Sequence, residues 1–252
     1  MLNRCLLVVA SMSTLFLMSC GGSGDGGGSP SPSPSASGAE GLWLGSAGNR
    51  SITGLVLDDG SFYLLYSLAG NAAVIGGVVQ GSGAATSGTF SSSNAIDFNT
   101  EGLGVVPATF SASYSPKKSL DGSVSHTAGA ATTFTSTFNT AYDQAPSLAA
   151  LAGTFAGKAS STKGTEDANV TIAASGALSG TGASGCKLTG TVAARTQGNV
   201  FNVSITLGGP PCVAANQTMS GVAYFDATAK RLYAATLNSA RTDGTLFAGV
   251  KP

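Results

Sequence analysis

From about residue 41 onward the chain is written in short apolar runs of five to nine residues, rich in Val, Ile, Thr, Tyr and Phe. Each run closes on Gly, Asn or Asp, which is the chemistry of strands separated by tight turns. Ile52 to Leu57, then Asp58-Asp59-Gly60, then Ser61 to Tyr66 reads as a hairpin, because Asp-Gly supplies the positive φ that a tight turn needs. Alternation in Val200-Phe201-Asn202-Val203-Ser204-Ile205-Thr206-Leu207 makes one face apolar and the other polar, as in an antiparallel strand with one wet side. The same pattern predicts further strands near 43–46, 74–80, 86–91, 95–99, 106–114, 120–126 and 132–140. A second series follows at 153–159, 169–174, 177–183, 186–194, 200–207, 219–226, 231–238 and 244–250. Between the two series, Pro146 to Gly153 is the one stretch with helical signals, Pro entering and Gly leaving.

Eight or nine strands and then eight more, with little helix, predict an all-β chain of two tandem domains, 41–145 and 146–252. Eight consecutive antiparallel strands can close on themselves and leave no sticky edge, so two up-and-down β-barrels are favoured over a sandwich. The halves open alike, with Gly41-Leu42-Trp43-Leu44-Gly45 and Gly153-Thr154-Phe155-Ala156-Gly157, which suggests a duplicated unit.

The first forty residues are of another kind. Arg4, a mostly apolar run from Cys5 to Met18 and small Ser19 have the layout of a secretory signal, too short for a spanning helix. Leu17-Met18-Ser19-Cys20 resembles a bacterial lipobox, which implies cleavage after residue 19 and lipidation of Cys20. An ordinary secretory signal in which Cys20 has no role is the competing reading. Two or three acyl chains hold a protein firmly on a membrane where one does not. Gly21 stands where an inner-membrane retention signal would carry Asp, so the resemblance favours the outer membrane. Residues 20–40, nearly all Gly, Ser, Pro and Ala, lack the bulk to offset ordering entropy and read as a disordered tether.

A lipidated cysteine, a Gly/Ser tether and barrel-type lobes together resemble the Gram-negative surface lipoproteins related to transferrin-binding protein and factor H-binding protein. The end of the chain, Gly244-Thr245-Leu246-Phe247-Ala248-Gly249-Val250-Lys251, is similar to the last barrel strand of that group, with an Ala inserted between Phe and Gly. The resemblance implies the fold and a cell-surface location; it implies no ligand.

Cys186 and Cys212 are the remaining cysteines of the mature chain, and an exported protein meets an oxidising compartment, so they are expected to form a disulfide. Catalytic machinery is hard to assemble. His126 is the single histidine, which excludes a multi-histidine zinc site, and no Gly-x-Ser-x-Gly elbow supplies a nucleophile. Ser160 to Lys163 and Ser115 to Lys118 spell Ser-x-x-Lys, but in turns rather than on a helix. Gly180 to Gly185 spells Gly-x-Gly-x-x-Gly, yet a strand follows where a dinucleotide site needs a helix. Asp58-Asp59-Gly60 lacks the further carboxylates of a calcium loop.

Charge adds little. Residues 41–145 hold six acidic and three basic side chains; residues 147–252 hold four and eight. The halves are oppositely biased, which could help them pack, while the spread of Lys158, Lys163, Lys187, Arg195, Lys230, Arg231 and Arg241 is too thin for nucleic acid and reads as a solvated exterior. The expected protein is a non-catalytic outer-membrane lipoprotein without metal or cofactor, a binding or adhesion module for an extracellular or host protein. The alternatives are a lipocalin-like carrier of a small ligand, suggested by Gly41-Leu42-Trp43, and a structural envelope component. Small barrels usually fill their interior with side chains, which favours a protein partner over an enclosed ligand.

Overall fold

A computed structural model describes residues 35–252. Cys20, the leader and most of the tether lie outside the described residues. The described chain forms two closed, antiparallel, eight-stranded β-barrels in tandem. The first is built from β1 (Gly41–Ala47), β2 (Arg50–Val56), β3 (Ser61–Leu68), β4 (Asn71–Ser82), β5 (Ala84–Thr86), β6 (Thr89–Asn99), β7 (Gly104–Ser115), β8 (Ser119–His126) and β9 (Thr132–Phe138). Strand β4 pairs with β6 and β1 with β9, so eight strands close the ring and short β5 is an extra pairing on β6. After a 3-10 turn at Thr140–Asp143 and a one-turn helix α1 (Leu148–Leu151), capped by the Ser147 hydroxyl, the chain enters the second barrel. That barrel is a plain meander: β10 (Gly153–Ser161), β11 (Gly164–Ile172), β12 (Ala177–Gly182), β13 (Lys187–Ala194), β14 (Phe201–Leu207), β15 (Thr218–Asp226), β16 (Arg231–Leu237) and β17 (Gly244–Val250), with β17 returning to β10.

The repeated Gly-x-aromatic-x-Gly openings occupy equivalent places. Trp43 and Phe155 point inward and are fully buried. Gly45 sits opposite Ser136 and Gly157 opposite Gly249, each where the first strand meets the last. A Cβ on Gly45 would overlap the Thr135 carbonyl oxygen, and one on Gly157 the Ala248 carbonyl oxygen, so glycine is what lets each seam close.

Two expectations need correction. Residues 86–91 and 95–99 are not separate strands: Ser87 and Gly88 make a turn at positive φ, and β6 then runs unbroken with a register shift between Ser92 and Ala95. The polar run that looked like a break is a bulge, in which Asn94 Oδ1 accepts from the Ser82 amide and the Ser92 hydroxyl. The tether also stops short of residue 40. Ala36 and Ala39 are buried in the core of the first barrel, the Ala39 carbonyl accepts from the Trp43 indole, and the Ser35 carbonyl accepts from the Ala85 amide.

The barrels share apolar surface. Leu65, Ile75, Val78 and Phe98 of the first cluster with Ala235, Leu237, Leu246 and Ala248 of the second. A neighbouring cluster joins Leu42, Leu55 and Leu57 to Val200, Val222 and Tyr224, with Tyr142 of the connector among them. Arginines that read as solvated exterior are spent here instead. Arg195 Nη2 lies 2.8 Å from Asp58 Oδ1 and 3.4 Å from Asp59 Oδ2, Arg231 donates to the Ala73 carbonyl, and Arg241 donates to the Gln80 carbonyl. The opposite charge bias of the halves is thus used at one place, the Asp58-Asp59 turn.

Candidate functional site

Equal strand numbers give the two barrels similar bores, so what fills them is decided by side-chain volume. Residues 41–145 contain eleven aromatic residues and residues 146–252 contain six. Inside the first barrel Phe62, Phe90, Phe110 and Phe134 stack in a chain, with centroids 4.7 Å apart for Phe62 and Phe110 and 5.5 Å for Phe110 and Phe134. Its far end is closed by polar groups. The Tyr66 hydroxyl donates to Asp97 Oδ1 at 2.7 Å, Asn99 Nδ2 donates to the Tyr66 oxygen at 3.1 Å, and His126 Nε2 lies 3.0 Å from Asp97 Oδ2. Arg50 pairs with Glu101 and lies over the Tyr66 ring. Burial pushes the Tyr66 hydroxyl and the Asp97 carboxyl upward, and the nearby Asp97 charge pushes Tyr66 further. His126, the single histidine, is held in this network by a carboxylate on one of its ring nitrogens.

The second barrel is hollow. Strand alternation places Gly157, Ala159, Ala168, Gly180, Gly190, Ala223 and Ala234 on its inner face, and these leave a cavity of about 300 Å³. The wall is apolar: Val170, Leu178, Val192, Val203, Ile205 and Phe247 among others. The base is stopped by Leu151 of α1 and by Phe155 and Phe225, whose rings meet edge to face at 5.7 Å. The other end opens through a rim formed by the β10–β11 turn, the loop before β13, the β14–β15 loop and the start of β17. Two inward hydroxyls are engaged with the protein: Thr236 donates to the Thr245 carbonyl, and Thr245 to Met219 Sδ. A wall of this kind recognises shape and apolar surface rather than a hydrogen-bonding pattern.

Cys186 and Cys212 are disulfide-bonded, with Cα atoms 4.5 Å apart. The bond ties the loop before β13 to the β14–β15 loop, so the cystine is part of the rim; Cys186, Val213 and Ala214 all line the opening. Val213 is 69% exposed there, an apolar side chain left at the edge of an apolar hole. A second concavity of about 390 Å³ lies between the barrels, bordered by Asp59, Ser61, Tyr63, Arg195, Asn202 and Ser204. Its charged groups already serve the contact between the barrels.

Among the described residues, no group of three or more His, Cys, Asp or Glu is placed to hold a metal ion. Cys20, the expected site of lipidation, lies outside the described residues. Sequence reasoning predicted the disulfide and missed the cavity, because the expected side-chain filling holds for the first barrel and fails for the second. The signal was present as small residues recurring at alternate positions, in Gly157 and Ala159 or Gly180 and Gly182, but glycine is so frequent in this chain that the alternation does not stand out. In comparisons with known proteins, no family model matches the chain and no curated protein matches it.

Proposed function

We propose that this chain is a lipid-anchored, non-catalytic binding module whose C-terminal barrel carries a small apolar molecule. The observation that carries the reading is the apolar cavity of about 300 Å³, stopped at its base and open at one rim. A volume at the lower end of the usual range for ligand pockets suits a compact guest. The first barrel, packed solid with aromatic rings, serves as the rigid body on which the hollow one is mounted. This reading takes the carrier alternative over a protein partner, since the cavity wall gathers many apolar side chains, while the large exposed ones among the described residues are Leu103, Val213 and Val250. The lipobox-like Leu17-Met18-Ser19-Cys20 supports an outer-membrane anchor, and the resemblance to surface lipoproteins supports an outward-facing location.

N-phenyl-1-naphthylamine fluoresces when it enters an apolar site and provides the test. The purified protein should enhance its emission saturably, and Ala234→Phe, which fills the cavity from the wall, should abolish the enhancement while far-UV circular dichroism stays unchanged. Enhancement that survives in a folded Ala234→Phe protein would place the apolar site elsewhere. In cells, labelled palmitate should enter the protein and fail to enter Cys20→Ser.

A further inference from the structure

Glu166 is the unusual residue of the cavity. The alternation that turns Ala168, Val170 and Ile172 of β11 inward also turns Glu166 inward, one step from the open end. Its carboxylate is fixed there. Glu166 Oε2 accepts from the Ser184 amide at 2.6 Å, and the carboxylate fills the space opposite Gly182, where a Cβ would overlap Glu166 Oε1. Asp243, at the start of β17, adds a second carboxylate to the same rim. The strand that bears Glu166 and the strand that follows Asp243 flank β10, which pairs with both β11 and β17. Lys163, exposed on the β10–β11 turn, is the one basic side chain among the described lining residues. The rim is therefore net negative, and its half-buried charges are the carboxylates of Glu166 and Asp243, while the cation stands in water where its field is screened.

We infer that the guest is a cationic amphiphile, a slender apolar body ending in a protonated amine or similar group that stops beside Glu166. The inference rests on the proposed carrier reading and specifies its ligand class. The apolar wall takes the tail. An anionic head, such as a fatty-acid carboxylate, would meet two carboxylates at the place where it leaves the cavity. Like charges brought together at a partly dehydrated rim reject a ligand, and opposite charges select it.

Three probes with one tail separate the possibilities: octylamine, 1-octanol and octanoate, each competing with N-phenyl-1-naphthylamine on the full chain at pH 7. Octylamine should displace the dye at about tenfold lower concentration than octanoate, with 1-octanol between them, and the gap should narrow with added salt. Glu166→Gln keeps an acceptor for the Ser184 amide and should draw octylamine and octanoate to within about threefold of each other. Asp167→Asn, on the outward face of the same strand and paired with Lys158, should leave the order intact and so rule out a mere change in net charge. Octanoate binding as well as octylamine, or an unchanged order in Glu166→Gln, would overturn the cationic assignment and leave the carrier reading standing. Failure of the dye and of all three probes to bind would overturn both.

Discussion

Asp97 shows how one residue can set the response of the first barrel to pH. It is 4% exposed, and burial holds its carboxyl above the usual value of 3.8 against hydrogen bonds from Tyr66 and His126 and the charge of Arg50. A carboxyl with a raised pKa binds its proton more tightly folded than unfolded. Its contribution to stability is therefore fully present below pH 3.8 and is lost as pH rises through the higher folded value. Asp97→Asn removes that loss, and the amide can still accept from the Tyr66 hydroxyl and donate to His126. The melting temperature of Asp97→Asn relative to the unsubstituted protein should thus climb between pH 4 and pH 7. A relative fall over that interval would mean that the ionised carboxylate is, on balance, what Tyr66 and His126 hold in place.

The elements are governed by what each strand faces on its two sides. Strands with one wet face, such as β11 and β14, keep a period-two pattern; in Val200 to Leu207 it places the ends of β14 within a residue, whereas β11 starts at Gly164, five residues before the expected 169. Strands β4, β15 and β17 have long buried stretches because one face lines a barrel and the other lies between barrels, so Val74 to Val79 and Leu246 to Val250 read as unbroken apolar runs. Such runs announce a strand but not what covers it, which is why the contact between the barrels was legible only as a weak charge bias. The bulge at Asn94 was illegible for a different reason: the partner that satisfies it, Ser82, is twelve residues away. The disulfide was legible because the pairing of β13 with β14 brings Cys186 and Cys212 to the same end of one hairpin. Closing that 26-residue separation is worth about 3.5 kcal/mol in the chain-entropy treatment, less any strain. Cys212→Ser should cost up to that amount in chemical denaturation. It should also loosen the rim, which amide hydrogen exchange would register as faster exchange across 208–217 than across β10.

At the scale of the molecule, the question is whether two closed barrels behave as two domains or as one. Each ring is complete in its own hydrogen bonds, so neither needs the other for its ladder. Each, however, would expose a broad apolar flank if separated: Leu65, Val78 and Phe98 on one side, Val222, Leu237 and Leu246 on the other. Tyr142 of the connector is wedged in the same contact, and Arg195 would lose both of its carboxylate partners, leaving Asp58 and Asp59 unpaired. Apolar burial of that breadth argues for a single cooperative unit. The sequence supplies an unusually clean probe, because Trp43 is the sole tryptophan and lies wholly buried in the first barrel. Leu151, equally buried, stops the base of the second barrel. Leu151→Ala should remove about 2–4 kcal/mol by leaving a void beneath Phe155. If the barrels unfold together, that loss appears in full in the urea midpoint followed by Trp43 fluorescence, although the substitution lies in the other barrel. A Trp43 transition that stays where it was, while circular dichroism shows an earlier second step, would make the barrels thermodynamically separate and the shared surface a docking contact rather than a common core.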